Sequence, residues 1–140
     1  MKQSTFDKFA ALERRLSKER GDFTLFGLFQ RSESEKWDLV LAAAWHDDEG
    51  SDDLADVSRL VSKSLDEEEL ISLSRIVFVT PDSPAVEAVC RAVSVQHGRI
   101  EVVGTNFFGL EIDRAIIITA RRPVATPRRR RGPGKKRAAN

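Results

Sequence analysis

His46 stands at the end of an apolar run and is followed at once by Asp47, Asp48 and Glu49. An imidazole beside carboxylates is the material of acid/base catalysis, and the oxygens suit magnesium or manganese. Two other short stretches offer related chemistry. Thr80-Pro81-Asp82-Ser83 ends one apolar run and opens a helix, where free backbone N–H groups favour an anion. Thr105-Asn106 ends another such run. Together these suggest an enzyme site for a phosphorylated or nucleotide substrate. His46 would be the acid/base, Asp47 and Asp82 would hold Mg or Mn, and Ser83 with Asn106 would bind the anion.

The same residues have plainer uses. Asp and Ser cap helices, and carboxylates favour a helix N-terminus. Asp82-Ser83 reads as a turn and a cap. His97 follows a helix and is expected at the sheet end opposite His46. Cys90, the only cysteine, falls on an apolar stripe and reads as a small packed side chain. The chain contains no Gly-x-Gly-x-x-Gly, phosphate-binding loop, Gly-x-Ser-x-Gly or His-Glu-x-x-His. It also lacks the acid-x-Lys pair common in metal-dependent nucleases. The preferred reading is therefore a non-catalytic binding module with no metal and no cofactor.

Several elements would have to position these residues. Phe6, Phe9, Leu12 and Leu16 mark a helix from about Thr5 to Arg20, capped by Ser4 or Thr5 and stopped by Gly21. DFTLFGLFQ and KWDLVLAAAW read as two strands of a hairpin. Phe23, Leu25 and Phe29 should face one side of the sheet and Phe26 and Leu28 the other. Strands buried on both sides require helices above and below. Gly27 suggests a bulge or a close approach.

Leu54, Val57, Leu60, Val61 and Leu65 recur at helical spacing, with Asp53 outside that stripe. DEEELISL adds a turn or two. RIVFVT is the expected centre of the sheet. Ser83 as N-cap with Pro84 at the first helical position starts a further helix through Val86, Val89 and Cys90. RIEVVGT and EIDRAIIITA close the fold as a second hairpin.

The expected fold is a single α/β domain with a mixed sheet of about five strands, in the order α-β-β-α-β-α-β-β. Both central crossovers are expected to be parallel. The strand ends at His46, Asp82 and Asn106 would then share one rim. Phe107 and Phe108 fall at a hairpin turn, where polar residues are usual. They are candidates for contact with a protein partner or a second copy.

Charge divides the chain. Of its 23 Lys/Arg, nine lie in residues 121–140, which hold no acid. Residues 1–120 then carry 14 bases against 22 acids, a net of −8. The expectation is an acidic domain over 1–122 and a disordered tail over 123–140. Arg128, Arg129, Arg130, Arg131, Lys135, Lys136 and Arg137 would neutralise phosphates of nucleic acid with little sequence preference. The tail has no aromatic residue to stack on bases. No apolar run reaches the length of a membrane span, and the N-terminal residues lack a signal-peptide core. A cytoplasmic protein with no membrane partner is expected.

Overall fold

The computed structural model of the chain describes residues 1–46, 52–107 and 110–121. The elements are α1 (Gln3–Arg20), β1 (Leu25–Arg31), β2 (Trp37–Ala42), α2 (Asp53–Ser64), α3 (Glu67–Ile71), β3 (Leu73–Phe78), α4 (Pro84–Ala92), β4 (Ile100–Phe107) and β5 (Leu110–Ala120). The class is α/β, as the sequence implies. DEEELISL supplies a separate short helix, α3, started by a capping box between Asp66 and Glu69.

The five strands form one sheet in the order β3-β2-β1-β5-β4. β1 is central and antiparallel to both β2 and β5, while β2 and β3 are the parallel pair. β4 pairs with β5 in an antiparallel hairpin. Two expectations are corrected here. RIVFVT is an edge strand, because β1 keeps one side of β2 and leaves β3 the outer one. The crossover from β3 to β4 is not parallel, because β4 lies at the opposite edge and runs antiparallel to β5.

Two cores sandwich the sheet. On one face α1 buries Phe6, Phe9, Leu12 and Leu16, and α2 adds Val57 and Val61, against Phe26, Leu28, Leu39 and Ile116. On the other, Val86, Val89 and Cys90 of α4 join Leu25, Phe29, Ala42 and Ile117. Phe23 belongs to the first core, not with Leu25 and Phe29, because it lies ahead of the strand and escapes its alternation. The register between β1 and β5 shifts at Phe26/Gly27, as Gly27 suggests. A Cβ on Gly27 would come within 3.0 Å of the Phe29 ring.

α1 begins earlier than the stripe indicates, and neither Ser4 nor Thr5 caps it. Thr5 instead donates its hydroxyl to Glu69 Oε2 at 2.6 Å, tying α1 to α3. Gly21 does end the helix, at φ 130°. Its carbonyl accepts the Trp45 indole N–H at 2.8 Å.

Candidate functional site

The ends of β2 and β3 do share one rim, but their functional side chains part to opposite faces. β2 ends at Ala42, so Trp45 and His46 belong to the turn beyond it. His46 folds onto the α1–α2 side. Its Nδ1 lies 2.8 Å from Asp53 Oδ2, and its ring stacks on Phe78 with 3.9 Å between centroids. Asp53, expected outside the buried stripe, is buried because it holds two partners at once. Arg20 at the end of α1 donates to Asp53 Oδ1 at 2.5 Å and to Asp56 at 2.6 Å. Arg20 also lies over the Trp45 ring, 5.6 Å from its centroid.

The charges in this cluster reinforce one another. The hydrogen bond to Asp56 is the main cause holding the Arg20 guanidinium above its ordinary range, with Asp53 adding to it against the opposing effect of burial. Hydrogen bonds from Arg20, then from Arg59, hold the Asp56 carboxyl below its own ordinary range. His46 thus helps join β2 and β3 to α1 and α2.

Asp82 goes the other way. It is exposed in a turn closed by the Ser83 N–H donating to Thr80 O at 3.1 Å. With Thr24, Val86, Glu87, Cys90 and Arg91 it lines a cavity of about 350 Å³ on the α4 side. The Ser83 hydroxyl accepts the Val86 N–H at 3.2 Å and so serves as the α4 cap, as its position before Pro84 implies. Asn106 does not approach Ser83. It pairs with Glu111 near the start of β5, at the far end of the sheet. The antiparallel direction of β4 is the cause.

The same reversal brings His97 to the end that holds His46, correcting the expectation that they lie apart. Val95 bridges to Ala120, and the His97 N–H donates to Thr119 Oγ1 at 3.1 Å. His97 Nδ1 lies 2.7 Å from Oε1 of Glu13, a fully buried residue of α1. Glu13 Oε2 accepts the hydroxyls of Thr119 at 2.9 Å and Ser17 at 3.0 Å.

Asp47, Phe108 and the tail cations from Arg128 to Arg137 lie outside the described residues. Phe107 is the last residue of β4 and pairs with Leu110 across the hairpin. Among the described residues no three His, Cys, Asp or Glu side chains are grouped to hold a metal. Among them, no helix is long and apolar enough to cross a membrane.

One cluster of charge escaped the sequence reading. Asp38, the second residue of β2, is buried on the α4 side, with Arg31 and Arg75 beside it. The visible signal was an acid between Trp37 and Leu39 in an otherwise apolar strand. Its partners, on β1 and β3, are identified only by pairing register. No family model, curated protein or solved structure matches this chain.

Proposed function

We propose that the chain is a non-catalytic interaction module whose basic tail contacts nucleic acid without sequence preference, while the acidic body engages a protein partner or a second copy. The observation that carries this reading is the charge division, nine cations and no acid in residues 121–140 against a net of −8 in residues 1–120. A dense cationic segment gains affinity for phosphates by releasing their counterions, whatever the base sequence. Phe107 and Phe108, expected from the sequence alone at the turn between two strands, are the residues offered to the partner. The position of His46 also favours a binding module. Its ring packs on Phe78 beside Asp53, on the face of the sheet opposite Asp82.

The test is fluorescence anisotropy with labelled single- and double-stranded nucleic acid over a salt series. The full chain is compared with a variant in which Arg128–Arg131, Lys135, Lys136 and Arg137 are all replaced by Gln. The full chain should bind both with a steep salt dependence, roughly 0.9 in log–log slope per duplex phosphate neutralised. The variant should lose that binding and keep its melting temperature. Equal binding by the two proteins, or none by either, overturns the proposal.

A further inference from the structure

The cavity of about 350 Å³ on the α4 side carries charge that its surroundings leave unbalanced. Its described lining holds two acids, Asp82 and Glu87, and one cation, Arg91. None of the three side chains has an ion pair or a hydrogen bond among the described residues. Two acids against one cation leave the lining a net charge of −1. Pro81, Val86 and Cys90 supply its apolar part, and Thr24 completes it.

The basic tail starts at the wall of this cavity. Arg121, the last described residue, donates its N–H to the carbonyl of Thr24 at 3.0 Å. The guanidinium of Arg121 is already engaged, meeting Asp22 at 3.3 Å. Arg128 follows seven residues later, a span of up to about 25 Å of extended chain. Arg128–Arg131 therefore reach back to the cavity that the chain has just left. So short a tether holds them there at an effective concentration on the order of millimolar.

We propose that one arginine side chain of Arg128–Arg131 occupies this cavity in the free protein, and that nucleic acid draws it out. Its guanidinium meets Asp82 and Glu87, and its apolar stem lies along Pro81 and Val86. Charge limits the occupancy to one. A single guanidinium brings the lining from −1 to zero, and a second is repelled by the first and by Arg91. Size gives the same count. One arginine side chain fills about 200 Å³, taking about 30 Å³ for each non-hydrogen atom, and two exceed the space. Phosphates are kept out by the two acids, so nucleic acid competes for the arginine and not for the cavity. The competition rests on the tail's proposed contact with nucleic acid; the docking does not.

The experiment is methyl NMR of the full chain at low salt. It is compared with the full-length variant carrying Arg128→Gln, Arg129→Gln, Arg130→Gln and Arg131→Gln. The Val86 methyls should differ between the two proteins. That difference should vanish near about 1 M salt, where the screening length falls to about 3 Å. Leu16 and Leu39, in the core on the other face, should not move. In Asp82→Asn/Glu87→Gln, substituted at two exposed positions, the same change of the tail should leave Val86 in place. That body, with the native tail, should also bind labelled duplex about threefold more tightly at low salt, the factor for a cavity filled about two thirds of the time. The docking is overturned if the tail variant leaves Val86 unmoved in the native body, or moves it equally in the doubly substituted one. It is also overturned if the Val86 difference grows with protein concentration, which assigns the occupant to a second copy. Unchanged duplex affinity in Asp82→Asn/Glu87→Gln overturns the competition. A native chain that binds no duplex overturns the nucleic-acid reading and the competition together, while the Val86 comparison still decides the docking.

Discussion

Glu69 shows how much a single side chain can tie together here. It accepts from Lys8 Nζ at 2.6 Å, from the Thr5 hydroxyl at 2.6 Å and from the Asp66 N–H at 2.9 Å. Lys8 first, then Thr5 and the Asp66 backbone, pull its carboxyl from an ordinary 4.5 to about 2. A lowered folded-state value stabilises the fold fully above the unfolded one, and the contribution fades as pH falls from about 4.5 through 2. Urea melts across that window should show the native chain losing stability toward acid more steeply than Glu69→Gln. Parallel acid limbs would remove Glu69 as a cause. Glu13 makes the complementary case in the interior. Glu13→Ala strips a partner from His97, Thr119 and Ser17 at once, and should cost about 3 kcal/mol in chemical denaturation. Thr119→Val should cost roughly 1 kcal/mol. Such partners were not legible in the sequence, because Glu13 and His97 lie 84 residues apart and share no local pattern.

Local grammar read well at the scale of elements. Ser83-Pro84 starts α4, Gly21 stops α1, and both hairpins form where the sequence joins its paired strands, one across the polar RSESEK and one across the break at Phe107 and Phe108. Each of these depends on a few adjacent residues. Ser83→Ala should lower stability by about 1 kcal/mol by removing a cap. It should leave nucleic-acid affinity unchanged, and a drop in affinity would return Ser83 to the anion-binding role. Placement of the elements was harder to read. RIVFVT is apolar on both faces because Ile76 and Phe78 support the α1–α2 core, while Val77 and Val79 meet the other side. Two-sided burial therefore marks a layered sheet without fixing where in it a strand lies. The rim reading failed for a related reason. Its three strand ends converge only if β4 runs with β3, and β4 instead completes a hairpin with β5.

The whole molecule is a sheet with unequal strands. β5 is buried over its second half and paired on both sides, whereas β4 is an outer strand with Val103 69 % exposed. Ile117→Ala should cost about 3 kcal/mol, and Val103→Ala less than about 0.5 kcal/mol, in the same denaturation assay. Similar costs at both sites would mean that β4 is covered by a second copy in solution. Charge was the most legible whole-chain feature, since it needs no fold to be counted. The route of the tail was not legible. It departs from the end of β5, where the Arg121 N–H donates to Thr24 O and its guanidinium meets Asp22 at 3.3 Å.

The pairing of β1 with β5 joins Leu25 to Ala120 and Gln30 to Arg114. The centre of the sheet therefore closes across more than eighty residues of chain. During synthesis β1 and β2 emerge early as a hairpin, while the strand that flanks β1 on its other side is the last to arrive. Until then the backbone groups along that side of β1 lack the strand that pairs with them in the folded sheet, and a hairpin open in this way invites pairing with other nascent chains. A polypeptide stalled before Leu110 would hold that side open indefinitely. Release of β5 is thus the event that commits the chain to its own sheet.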